Sequence, residues 1–86
     1  MGLIEIIMRL DKFLKVSRII KRRTVAAEAA DKGKVIVNGK EAKPSHRLKV
    51  GDVIELTFGS NTLKVRVKQL LEHTKKDEHT YMYEVC

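Results

Sequence analysis

The chain has 86 residues, enough for one compact domain and too few for a catalytic domain with a companion, which removes most enzyme classes. Hydrophobic residues make up 43% and charged residues 34%, with two Phe, two Tyr and no Trp, so a folded chain with a small aliphatic core is expected rather than a disordered one. Eighteen Lys and Arg against eleven Asp and Glu leave a net charge of +7, which points to an anionic partner.

The excess charge is concentrated. Arg9, Lys12, Lys15, Arg18, Lys21, Arg22 and Arg23 fall within fifteen residues beside one acid, Asp11, so this segment carries +6 and the rest of the chain +1. Ile19 and Ile20 interrupt the basic series, which ties it to a core, unlike a floppy arm. Ahead of it, Leu3, Ile4, Ile6 and Ile7 form an apolar patch broken by Glu5, too short to span a membrane and lacking the basic flank of a signal peptide.

In chain order, Leu10, Phe13, Leu14 and Ser17 share one side at helical spacing, which predicts a short amphipathic helix with Lys12 and Lys15 turned elsewhere. Asp11 is expected to pair locally, with Lys15 four residues on or with a nearby Arg. Thr24 is the expected N-cap of a second helix over Val25 to Lys32, ended by Gly33. Val25, Ala26, Ala29 and Ala30 give that helix a narrow packing face. Arg22, Arg23 and Thr24 then stand at its positive end, where backbone N–H groups favour an anion.

After Gly33 the period changes. Val35-Ile36-Val37 reads as a strand and Asn38-Gly39 as a tight turn, followed by an irregular Lys43-Pro44-Ser45 and a further turn at Val50-Gly51-Asp52. Val53 to Phe58 and Thr62 to Gln69 form a hairpin around Gly59-Ser60-Asn61. Ile54, Leu56 and Phe58 face inward with Leu63, Val65 and Val67, and Lys64, Arg66 and Lys68 face out, where protection of a sheet edge is expected ahead of a minor RNA-facing role. Beyond the charged run Lys75 to Glu78, Tyr81-Met82-Tyr83 reads as a final strand.

His46, His73, His79 and Cys86 lack metal-ligand spacing, and no glycine-rich phosphate loop is present, so no metal, no cofactor and no catalysis are expected. The lone cysteine permits no intramolecular disulfide and suits a reducing cytoplasm.

Met8-Arg9-Leu10-Asp11-Lys12-Phe13-Leu14-Lys15-Val16-Ser17-Arg18, then Lys21-Arg22-Arg23-Thr24, Gly33, Val35-Ile36-Val37-Asn38-Gly39, Ala42-Lys43-Pro44-Ser45 and Val50-Gly51-Asp52, resemble the RNA-binding domain named after small-subunit ribosomal protein S-four. The likeness runs from Met8 to about Phe58. It implies an α+β fold, the αL motif, with two N-terminal helices packed on a small, mainly antiparallel sheet. Residues 8–86 would form the domain with its C-terminal strand and tail, and residues 1–7 an extension that departs from the family pattern.

Arg9 to Thr24, Thr74 to Glu78 and Met82-Tyr83 are further similar to the RqcP family of bacterial ribosome-associated quality control factors. That resemblance implies a factor bound to a large ribosomal subunit obstructed by peptidyl-tRNA, touching its rRNA and the tRNA. There it would help an RqcH-type factor add alanine tails to stalled chains. A monomer without catalysis is expected, and no membrane partner, because Leu10, Phe13 and Leu14 are needed for the core. A heat-shock-type factor recycling free large subunits with nascent chains, or a ribosome-assembly protein, is the alternative. Arg9, Arg18, Arg22 and Arg23 suit bidentate phosphate contact, Lys12, Lys15 and Lys21 add point charges, and Ser17 and Thr24 offer hydroxyls.

Overall fold

The computed structural model describes residues 7–70 and 81–86. Strand β1 (Met8–Arg9) runs directly into helix α1 (Leu10–Val16), and helix α2 (Arg23–Asp31) follows after a short connection. Leu10, Phe13 and Leu14 are wholly buried, as their spacing requires, and each contributes about 1.5–3 kcal/mol by leaving water. Val16 and Ile20 complete this side of the core.

Helix α2 buries Ala26 and Ala30, whose small side chains let α1 approach closely. Val25, expected on the packing face, is instead exposed, and the contact is made by Ala26 and Ala30 with a partly buried Ala29 beside them. The helix also starts earlier than expected. Arg22 takes the N-cap position with no side-chain cap, and Thr24 lies exposed within the first turn.

Strands β2 (Val35–Val37), β3 (Lys40–Glu41), β5 (Val53–Phe58), β6 (Asn61–Val67) and β7 (Tyr83–Val85) form one antiparallel sheet in the order β3-β2-β5-β6-β7. Asn38 and Gly39 join β2 to β3 with φ of 52° and 85°, the left-handed geometry that a two-residue hairpin turn needs. The inner face presents Val35, Val37, Ile54, Leu56, Val65 and Val67 to the helices, and Met82 closes the core beside them. Phe58, expected to be inward, is about half exposed, because it ends β5 at the hairpin and lines an open groove with Ile20 and, from α2, Val25 and Ala29.

Two expectations for the C-terminal half change. Strand β6 is paired on both sides, by β5 and β7, so Lys64 and Arg66 occupy a central strand and protect no edge. The final strand is Tyr83–Val85, with Tyr81 exposed ahead of it. The run Thr74 to Glu78, His73, His79 and nearly all of the N-terminal extension lie outside the described residues.

A second, two-stranded sheet has no counterpart in the sequence reading. Strand β4 (Arg47–Leu48) pairs antiparallel with β1, bringing Met8 opposite Leu48 and Arg9 opposite Arg47. The Leu10 N–H donates to the His46 carbonyl at 2.8 Å and the Asp11 N–H to the Pro44 carbonyl at 3.1 Å. These bonds satisfy two first-turn donors of α1 and fix its start against the segment before β4.

Candidate nucleic-acid interface

Arg9 ends β1, Asp11 sits in the first turn of α1 and Arg23 opens α2, so three separate elements meet at one carboxylate. Arg9 donates from Nε to Asp11 Oδ1 and from Nη2 to Oδ2, both at 3.2 Å. Arg23 Nη2 reaches Oδ1 at 3.5 Å, and the Lys12 backbone N–H donates to the same oxygen at 2.8 Å. Asp11 thus pairs with two arginines, one of them twelve residues away, rather than with Lys15.

The Asp11 side chain is 6% exposed, against 52% for Arg9 and 47% for Arg23. Each guanidinium therefore turns part of its donor set to the carboxylate and part to solvent. Burial alone would raise the Asp11 pKa. The Arg9 fork, the Lys12 N–H and the nearby charge of Arg23 outweigh it and hold the carboxyl below its ordinary 3.8.

At 100° per residue, Lys12 and Lys15 lie on the side of α1 opposite Leu10, Phe13 and Leu14, next to Asp11. Lys15 is exposed and Lys12 half-buried. Arg18 is exposed at the turn that ends α1, with φ of 63°, and Lys21 and Arg22 are exposed along the approach to α2. Lys15, Arg18, Lys21 and Arg22 form no ion pair with the described residues. Thr24 lies beside them in the first turn of α2.

Ser17 does not belong to this surface. It shares the apolar side of α1, is wholly buried, and donates its hydroxyl to the Leu14 carbonyl at 3.3 Å. The helical phase already put Ser17 with Leu10, Phe13 and Leu14; its polar type, not its position, suggested an RNA contact. Arg47 is the residue that sequence reasoning missed. It is exposed on the same face as Arg9, because directly opposed residues of an antiparallel pair point the same way. A two-residue strand offers no periodicity from which to find it.

The outer face of the sheet contrasts with this surface. Lys64 pairs with Glu55 at 3.6 Å, and Arg66 and Lys68 share Glu84 at 3.5 and 3.8 Å, so the cations there are matched by acids. Among the described residues no cluster of His, Cys, Asp or Glu could hold a metal ion, and no helix is long and apolar enough to cross a membrane.

The S4 domain family model matches residues 8–54, which span β1 to the start of β5 and hold every cation of the surface. The chain is 58% identical to the RQC P-site tRNA stabilizing factor of Streptococcus pneumoniae, over 91% of this chain and 89% of that one. This chain belongs to the S4 domain family. Within it, the factor of the same name from Bacillus subtilis is 51% identical over 91% of each chain. The S4 fold also extends to a solved structure of heat shock protein 15 from Vibrio cholerae, a trimer, with a TM-score of 0.86 and 29% identity over 94% of this chain and 83% of that one. The two helices on a small antiparallel sheet are thus the family's architecture, and the chain takes its place among S4 proteins of the RQC P-site tRNA stabilizing type.

Proposed function

We propose that this S4 domain is a non-catalytic RNA-binding factor of ribosome-associated quality control. It binds the large ribosomal subunit while peptidyl-tRNA obstructs it, touches both the rRNA and the tRNA, and supports an RqcH-type factor in adding alanine tails to stalled chains. The observation that carries this reading is the asymmetry of charge pairing. Arg9 and Arg23 meet at the single carboxylate Asp11 while Lys15, Arg18, Lys21 and Arg22 form no ion pair with the described residues, whereas each cation of the outer sheet row, Lys64, Arg66 and Lys68, pairs with Glu55 or Glu84. The P-site tRNA as ligand class is supported by the name of a relative, the RQC P-site tRNA stabilizing factor, at 58% identity.

Structured RNA offers phosphates and 2′-hydroxyls in fixed array, so a rigid cationic surface recognises it by shape and charge more than by base sequence. Arg9, Arg23, Arg22 and Arg18 are assigned to phosphate and base-face contacts, Lys12, Lys15 and Lys21 to longer-range attraction, and Thr24 to a hydroxyl contact at the start of α2. Residues 8–86 act as one unit in the cytoplasm. The net charge of +7 opposes self-association and favours a monomer.

The fold shared with heat shock protein 15 supports one second reading, recycling of free large subunits that carry nascent chains. Cross-linking in cells followed by sequencing of bound RNA tests the first. Joint peaks in large-subunit rRNA and in tRNA are expected. Peaks confined to messenger RNA would overturn the assignment, and rRNA peaks without tRNA would favour subunit assembly.

A further inference from the structure

We propose that Asp11, the one acid inside the cationic surface, is a positioning residue for RNA binding, whose carboxylate holds Arg9 and Arg23 in a shared phosphate-binding geometry. The inference rests on the RNA-binding reading above. It has an unusual sign, because simple electrostatics gives an acid on an RNA-binding face the opposite role.

Arg9 and Arg23 come from different elements, β1 and α2, and carry long, freely rotating side chains. Two parallel donors of Arg9 occupy both Asp11 oxygens at 3.2 Å, and Arg23 adds a third side-chain donor to Oδ1 at 3.5 Å. The carboxylate itself is fixed. It is almost wholly buried, receives the Lys12 N–H at 2.8 Å, and its own backbone N–H is tied to Pro44 at 3.1 Å. A buried anion is therefore the common anchor of two half-exposed guanidiniums. Each has five N–H donors, so the unused ones remain free to meet one phosphate group or two adjacent ones.

Arginines already held in place lose less freedom on binding than free ones. Without the carboxylate, two like charges would also repel each other at the same spot, and each would turn out to solvent separately. Pre-ordering and relief of repulsion both favour binding, against the unfavourable long-range effect of one negative charge.

The test measures binding to purified large ribosomal subunits carrying peptidyl-tRNA for the wild type, Asp11→Asn, the charge-preserving pair Arg9→Lys with Arg23→Lys, and Arg9→Ala with Arg23→Ala, with thermal melting of each. Asp11→Asn is expected to bind roughly tenfold more weakly than wild type, although it is one charge more positive. The double-lysine variant is expected to weaken binding similarly, since an ammonium cannot make the two-point fork. Asp11→Asn added to the double-alanine variant is expected to weaken binding no further.

Binding by Asp11→Asn at least as tight as wild type would overturn the proposal. Should Asp11→Asn fail to fold, wild-type affinity in the double-lysine variant would overturn it instead. The double-alanine variant separates this from the underlying reading. If it binds normally, the RNA surface itself is misplaced; if it binds poorly while Asp11→Asn binds tightly, only the positioning role falls.

Discussion

Arg9 stands directly opposite Arg47 across the two-residue pairing of β1 with β4, and Asp11 compensates only the first of these two cations. Like charges facing across a strand pair cost stability, in the range of about 0.2–1 kcal/mol. Replacing Arg47 by Glu should therefore raise the midpoint of thermal unfolding slightly. The same change should weaken binding to large ribosomal subunits, because it reverses a charge beside the proposed phosphate contacts. Melting and co-sedimentation of Arg47→Glu check the pair of effects, which a purely structural role for Arg47 would not produce together.

Ser17 supplies a contrasting case. Its buried hydroxyl bonds to the Leu14 carbonyl, which also accepts the Ile20 N–H at 3.0 Å and so keeps a partner when the hydroxyl is removed. Ser17→Ala should cost about 0.5–1.5 kcal/mol of stability and leave RNA affinity unchanged. A loss of affinity with unchanged melting would return Ser17 to the interface.

Arg18 occupies the left-handed region, where a residue with a Cβ pays roughly 1–2 kcal/mol that glycine does not. Arg18→Gly should leave the domain as stable as wild type or more so, as the relief of backbone strain offsets the greater freedom of the unfolded chain. Its affinity for ribosomal RNA should fall. The measurement is a urea unfolding curve beside a binding isotherm, with opposite or unequal changes expected in the two.

The lowered pKa of Asp11 fixes a pH dependence. A carboxyl whose folded-state pKa lies below its unfolded value contributes stability that is complete above the unfolded value and lost as the pH falls through the folded one. Its window thus opens below pH 3.8. Asp11→Asn should be less stable than wild type near neutral pH, and the difference should shrink as the solution is acidified below 3.8. Urea unfolding at neutral and at acid pH measures that difference, and a gap independent of pH would contradict the assigned ion pairs.

Much of the interface was legible in the sequence because it is local. The Leu10, Phe13, Leu14 stripe set the phase of α1 and so the exposure of Lys15, and Asn38-Gly39 marked its turn through residues that tolerate positive φ. The rest depends on contacts between distant segments. Arg23 reaches Asp11 only after α2 folds back on α1, and Arg47 reaches the interface through a strand too short to show alternation. The Lys64 and Arg66 row resembled an edge because the pairing of β6 with β7 joins residues far apart in the chain. Ser17 is polar in type but shares the apolar phase of α1, and the phase decides its burial.

The central claim is that RNA meets the arginine surface of the first two helices and not the basic face of the sheet. Its most direct test is the salt dependence of large-subunit binding for the wild type, Arg9→Ala with Arg23→Ala, and Lys64→Ala with Arg66→Ala. Each lost phosphate contact should reduce the slope of log affinity against log salt by about 0.7–0.9. The helix variant should therefore bind more weakly with a visibly shallower slope, while the sheet variant keeps the wild-type affinity and slope. Equal losses in both variants, or a wild-type affinity that salt leaves unchanged, would contradict the account.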